Sequence, residues 1–363
     1  MCTVHTLEAQ KNEAFAENLL EMLNKGALAL MVSIGHRTGL FDAMSQLPPA
    51  TSEQIAKAAG LHERYVREWL GAMTAGGVVE CLPSLSKPLF SLPAAHAACL
   101  TRAAGADNMG VFAQYIGVLG SVEDRIVDCF KNGGGVAYHE YKRFHEVMAE
   151  DSGQSIVSSL FTAVLPLVPG LTEKLERGIE ALDIGCGMGR ALILMAKAYP
   201  NSRFVGYDLC EEPIEIARAE AARQGLANLR FEVRDLTTFD VDAPEAKFDL
   251  ITSFDAIHDQ ARPDRVLAGI SRALKADGVY LMQDIAGSSE VHNNLDHPLG
   301  ALLYTVSTMH CMTVSLAQGG MGLGAMWGRE KALEMLKEAG FNRVEIKNLD
   351  HDIQNNYYIV SKN

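Results

Sequence analysis

The sequence predicts an α/β domain, with a mostly parallel sheet covered on both faces, behind a mainly helical domain. Three observations predict it. After residue 170, short apolar runs alternate with amphipathic segments of helical period, the pattern of strands buried under helices. Between the first such run and the first such helix lies a glycine-rich turn, Gly185-Cys186-Gly187-Met188-Gly189. Before residue 100, two short helical segments at residues 51–75 have helix-turn-helix spacing. The 363 residues suit about two domains at roughly 150 residues each.

Taken in order, the chain opens with apolar residues at helical spacing: Phe15, Leu19, Leu20, Leu23, then Leu28, Leu30, Met31 and Ile34. Gly39 and the Pro48-Pro49 pair break that pattern. Thr51 and Gln54 have the spacing of a capping box for a helix to Ala59. A turn at Gly60-Leu61 and a second helix over 62–75 come next. The runs 76–80 and 89–92 suit a two-stranded wing. Residues 94–171 read as largely helical, with a glycine run at 133–135. Pro166 and Pro169-Gly170 mark a boundary. Strands are expected at 180–184, 203–208, 230–234, 249–254 and 279–284, with helices at 190–198, 212–224 and 263–274. A last helix at 330–339 precedes strand-like runs at 343–347 and 356–360. The expected division is 1–100, 101–170 and 171–363, with a loop-rich insertion at 287–327.

Composition narrows the function. The net charge of −13 makes the chain a poor general partner for a phosphate backbone or an anionic membrane. The most apolar early stretch, 27–34, is too short to span a bilayer. The start carries acidic residues and no secretory-type apolar core. Seven scattered cysteines without a CxxC read as reduced thiols, so a cytoplasmic location is expected. No zinc-ligand spacing occurs, and no metal is expected.

The chemistry concentrates at the ends of successive strands, where open α/β sheets bind ligands. Asp183 precedes the glycine turn by two residues, a place where an acid suits a ligand's ammonium better than a pyrophosphate. Gly185, Gly187 and Gly189 let a ligand approach the backbone. Arg190 replaces the third glycine of a nicotinamide fingerprint, which disfavours a dehydrogenase. Asp208 ends the second strand, where a carboxylate accepts from both ribose hydroxyls. Asp235 suits an adenine amino group, with Leu236 against the ring. Phe254 and Asp255 end the fourth strand.

On these motifs, residues 180–284 resemble the Rossmann-like core of class I S-adenosylmethionine-dependent methyltransferases. The whole chain resembles the subgroup with an N-terminal winged-helix domain, which includes the plant-type O-methyltransferases. Within it the nearest pattern is a poorly characterised group marked by Gly133-Gly134-Gly135-Val136, Ile257-His258-Asp259-Gln260 and the glycine-rich run 319–328. The resemblance implies a seven-stranded sheet and S-adenosylmethionine as cofactor, with S-adenosylhomocysteine as product. It also implies cofactor contacts from Cys186 and Leu209.

Methyl transfer needs a base only when the acceptor must lose a proton. The resemblance implies His258 as that base; a cofactor-contact role is the competing reading. Asp259 reads as a solvated helix cap. Gln260 departs from the tryptophan usual after the pair. The insertion suits a lid, and Tyr304 and His310 are its candidate acceptor residues. The resemblance adds Tyr138 and Phe144. A small-molecule acceptor is expected, and a homodimer through the N-terminal domain, because the first helix is more apolar than a small winged helix can cover. The alternative is a DNA-binding regulator that senses S-adenosylmethionine. Residues 35–83 oppose it with Arg37, Lys57, Arg64 and Arg67 against Asp42, Glu53, Glu63, Glu68 and Glu80, four minus five, a net −1.

Overall fold

The computed structural model describes residues 2–83 and 86–362, with side chains from residue 11 onward. Met1, Ser84, Leu85 and Asn363, which the expected domain bounds include, lie outside the described residues. The chain divides into two compact units, Met1–Gly117 and Val118–Asn363. Of the expected connector 101–170, residues 101–117 fall in the first unit and 118–170 in the second.

The first unit begins with one long helix, α1 (Cys2–Thr38), ended by Gly39 in the left-handed conformation. Then come α2 (Leu40–Ser45), α3 (Ser52–Ala59) and α4 (Glu63–Ala75). The capping box forms as its spacing requires. Gln54 N–H donates to Thr51 Oγ1, and Thr51 N–H donates to Gln54 Oε1. Gly60 at φ 67° supplies the left-handed turn between α3 and α4. The wing is β1 (Glu80–Leu82) paired with β2 (Leu89–Ser91), so its first strand starts at the end of the expected run 76–80. Gly77 at φ 71° turns the chain before it. Trp69 anchors α4: its ring meets Phe41 edge-on and its N–H donates to the Met31 carbonyl at 2.8 Å. Helix α5 (Ala94–Leu100) comes after the wing, and α6 (Ala113–Gly120) runs across the division.

The second unit opens with α7 (Glu123–Asn132), α8 (Phe144–Ser152) and α9 (Leu171–Arg177), with two π-helical turns between the last two. Strand–helix alternation then runs β3 (Glu180–Ile184), α10 (Arg190–Ala198), β4 (Arg203–Asp208), α11 (Glu211–Arg223), β5 (Leu229–Val233), α12 (Phe239–Asp242), β6 (Phe248–Phe254), α13 (Pro263–Ala273) and β7 (Leu274–Ile285). The insertion is not loop-rich. It holds α14 (Gly300–Val306), a π-turn over Ser307–Cys311 and α15 (Met312–Ala317). Helix α16 (Gly328–Glu338) precedes β8 (Arg343–Leu349) and β9 (Asp352–Ser361).

The seven strands order β5-β4-β3-β6-β7-β9-β8, all parallel except β9, which pairs antiparallel with both neighbours. Successive side chains point to opposite faces of a strand. Leu182, Val205, Ile251, Tyr280 and Tyr358 accordingly build one core, and their neighbours Ala181, Phe204, Leu250, Leu281 and Tyr357 the other. Strand order reverses between β3 and β6, and that switch opens the crevice at their carboxyl ends. Among the described residues, no helix is long and apolar enough to cross a membrane.

Candidate active site

The crevice at the carboxyl ends of β3, β4 and β6 is a cleft closed on one side by α8. Asp183, Gly185, Cys186, Gly187, Gly189, Asp208, Leu209, Leu236, Phe254, Asp255, Tyr138 and Phe144 all line it. So do His145, Arg190, Cys210, Arg234 and Asp259.

Two glycines make the turn that forms its floor. Gly185 lies at φ 69°, where a Cβ would stand 2.4 Å from that of Ala256. Gly189 lies at φ 68°, and a Cβ there would strike the Phe231 ring at 2.3 Å. Both contacts are with protein side chains, so these two positions need glycine for the turn to pack, whereas a Cβ at Gly187 would project into open space. Asp208 ties the turn to β4, accepting from Gly187 N–H and Cys210 N–H, each at 2.9 Å. A carboxylate has about four lone-pair positions, so the pair of hydroxyls of a ribose still finds acceptors there. Asp183 is buried and accepts from the Thr252 hydroxyl at 2.7 Å. Burial pushes its carboxyl up to about 7 against that bond.

Asp255 comes directly after β6 in the left-handed conformation, φ 55°, and its buried Oδ1 has no partner. Burial raises it to about 7, with the nearby His258 opposing. Asp259 accepts from the Tyr138 hydroxyl at 2.6 Å, and burial raises its carboxyl to about 6, again with His258 opposing. It faces the cleft and does not act as the solvated helix cap expected from the sequence.

His258 is buried and stands outside the lining. Its Nδ1 is 2.8 Å from Asp284 Oδ1, which also accepts from Trp327 Nε1 at 3.0 Å and from Ile285 N–H at 2.9 Å. Burial disfavours its charge, but Asp284 and the neighbouring Cys311 outweigh that and hold its pKa well above the usual value. The ligand-type atoms of Asp255, His258 and Asp284 lie within 4.8 Å of one another, a spacing open to a metal ion. With three N–H groups already on Asp284 Oδ1, the cluster reads as a hydrogen-bonded support for His258.

Three other expected residues lie elsewhere. Asp235 is exposed and accepts from Thr237 N–H at 2.8 Å in a turn of its own, while its neighbours Arg234 and Leu236 reach the cleft. Tyr304 lines a separate apolar cavity with Ile126 and Phe130 and takes a hydrogen bond from Asn294 at 3.0 Å. His310 lies behind the lining, stacked on Phe144 with ring centroids 3.5 Å apart. It is fully buried, and neither ring nitrogen has a partner. His145 and Asp284 were not expected. Asp284 ends a strand as Asp208 does, which is a usable signal; His145 carries none.

Comparison with known proteins agrees with this geometry. Residues 26–102 match the Rv2258c-like winged HTH domain, and residues 175–340 match a methyltransferase domain. Erythromycin 3''-O-methyltransferase of Saccharopolyspora erythraea is 26% identical over 205 residues, 56% of this chain and 61% of that protein. Polyketide synthase ThaQ of Burkholderia thailandensis is 33% identical over 116 residues, 32% of this chain and 6% of that one. The chain thus spans less than two thirds of the length of these relatives. Among solved structures, mitomycin 7-O-methyltransferase MmcR superposes with a TM-score of 0.69 at 19% identity, covering 97% of this chain and 99% of that one. Human N-acetylserotonin methyltransferase in complex with SAM gives 0.65 at 16% identity, covering 96% and 97%. At these identities the structures speak for the fold.

The buried carboxyls make the ligand-free protein sensitive to pH. A carboxyl whose folded pKa exceeds its unfolded value, near 4, holds an extra proton in the fold. Its contribution to stability is complete below that unfolded value and is lost as pH rises through the folded pKa. Asp183, Asp255 and Asp259 place this window between about 4 and about 7. The melting temperature of the ligand-free protein should fall across that window, by about 2–4 °C for each kcal/mol lost. Calorimetric scans at a series of pH values check this, and a melting temperature that rises steadily from pH 4 to 7 would contradict it.

Proposed function

The chain is a class I S-adenosylmethionine-dependent methyltransferase with an N-terminal winged-helix domain, and from that premise we propose that it methylates a small molecule at a proton-bearing atom, with Asp259 receiving the proton. The cofactor supplies the methyl group as an electrophilic carbon on a sulfonium. Asp208 would hold the ribose, Asp183 the ammonium, and Leu236 would pack against the adenine. These residues fit that group, because all three line one cleft with the glycine turn, and Asp208 keeps lone pairs beyond those taken by the Gly187 and Cys210 N–H groups.

The observation that carries the proton role is the placement of Asp259. It lines the cleft, it is oriented by the Tyr138 hydroxyl, and burial holds its carboxyl at about 6. A carboxyl so placed accepts a proton near neutral pH more readily than an ordinary aspartate. His258, the residue implied by the family resemblance, is instead a positioning residue. Its charge, supported by Asp284, faces Asp259 from behind. One relative, erythromycin 3''-O-methyltransferase, is named for an oxygen acceptor, and the proton role drawn here serves a hydroxyl or an amine alike.

The regulator reading is not favoured. On α4, Arg64 pairs with Glu68 at 2.5 Å and Arg67 with Glu63 at 3.4 Å. The cations that would face a phosphate backbone are matched by acids on the same helix.

The middle of α1 leaves Phe15, Leu20 and Leu23 exposed, at 60%, 62% and 71%. Such an apolar face on one helix suits a second copy of this chain. Light scattering should return the mass of two chains, and Leu20→Glu with Leu23→Glu should return one. A wild-type monomer at micromolar concentration would refute the dimer.

Asp259→Asn should lower kcat by about 10²–10⁴-fold with cofactor affinity retained. His258→Asn should act through Asp259 and shift the pH profile of kcat rather than abolish turnover. If Asp259→Asn keeps full kcat while His258→Asn loses it, the proton role passes to His258.

A further inference from the structure

Resting on the methyltransferase reading above, we infer that the acceptor is a small amine, bound as its ammonium between carboxylates and aromatic rings at the α8 end of the cleft. The charge of the cleft points to an amine. Four carboxylates line the cleft: Asp183, Asp208, Asp255 and Asp259. Among the described residues, the only arginines or lysines that line it are Arg190 and Arg234. Arg190 is tied to the Ala149 carbonyl, and Arg234 to Asp242 while lying over the Tyr207 ring at 4.7 Å. The cofactor carries two positive groups and one negative group. Its ammonium and sulfonium therefore leave this cleft short of positive charge. An ammonium on the acceptor corrects that, and a carboxylate or phosphate acceptor worsens it.

Shape agrees with charge. Tyr138, Phe144 and His145 all line the cleft, and the His145 ring meets both of the others. Tyr138 and His145 stack at 5.9 Å, and Phe144 meets His145 edge-on at 6.1 Å. The Tyr138 hydroxyl donates to Asp259, so a carboxylate stands at the edge of this ring cluster. Rings beside a carboxylate are the surroundings in which proteins bind ammonium groups.

Behind the rings lies a neutral polar group. His310 is fully buried against Phe144 and Tyr138, and both of its ring nitrogens lack partners. A buried polar group without a partner needs an account, because leaving it so is costly. Burial holds its pKa well below the usual value, so the ring is neutral and offers one acceptor and one donor. A neutral ring there adds no positive charge behind the cluster, so the carboxylates remain the groups that set the charge of the cleft. Asp259 then takes one proton from the ammonium, and the electron pair of that N–H bond stays on nitrogen as the nucleophile.

The test uses full-length protein saturated with S-adenosylhomocysteine and three probes that share a ring: benzylamine, benzyl alcohol and benzoate. Calorimetry should show benzylamine binding at least tenfold more tightly than the alcohol, with no binding of benzoate. Asp259→Asn should weaken benzylamine by roughly 10–100-fold, the scale of a charge-assisted hydrogen bond. Its affinity for S-adenosylhomocysteine should stay unchanged, which also shows that the variant is folded. Benzoate binding as well as benzylamine, equal binding of amine and alcohol, binding of none of the three, or an Asp259→Asn variant that keeps wild-type benzylamine affinity would each overturn the amine. Failure of S-adenosylhomocysteine to bind wild-type protein would overturn the cofactor assignment beneath it.

Discussion

The site depends on carboxylates held out of water at the ends of parallel strands. Asp183, Asp208, Asp255 and Asp259 share one cleft, and for each of them burial raises the pKa. Like charges so close are disfavoured unless protons or a cation accompany them. The ligand-free cleft uses protons, a hydroxyl from Thr252 and backbone N–H groups at Asp208. A cofactor with a sulfonium and an ammonium replaces those protons. The same physics explains why the chain can be acidic and still bind a nucleoside.

The scaffold makes that arrangement rigid. Strands β3, β4, β6, β7 and β9 send alternate side chains into two separate cores, so none of them can slip by one residue without exchanging both. Register therefore fixes which residue reaches each strand end. The glycine turn after β3 and the bonds from Asp208 to Gly187 and Cys210 hold neighbouring strand ends together. Behind β6 and β7, Asp284 gathers His258, Trp327 and the backbone of Ile285 onto one oxygen. That hub lies outside the cleft, yet it sets the charge behind Asp259.

Much of this was legible in the sequence because period and punctuation carry it. The strand–helix alternation, the capping box at Thr51 and the glycine turn depend on local rules, and the structure obeys them. Asp183 and Asp208 were legible because they sit on strands whose ends are marked. The segment after β6 was not. Asp255 adopts a left-handed backbone, which only its surroundings dictate, and beyond it neither helical nor strand spacing says which way a side chain points. Hence His258 turned inward and Asp259 toward the cleft. Asp235 was no more legible: a side chain that accepts from Thr237 N–H in its own turn looks the same in sequence as one turned into the cleft. The insertion 287–327 is rich in glycine, and composition hid two helices and a π-turn. His145 and His310 both meet Tyr138 through tertiary packing alone, which no spacing announces.

Cofactor binding should ionise these buried carboxyls. Calorimetric titration of S-adenosylmethionine in buffers of differing ionisation enthalpy measures it directly. Near pH 6.5 the heat should depend on the buffer in the sense of protons leaving the protein, since Asp183, Asp255 and Asp259 lie at about 6 to 7 before binding. The release should fade as the pH is raised toward about 9, where these groups are ionised beforehand. Heats independent of the buffer near pH 6.5, or proton uptake there, would contradict the account.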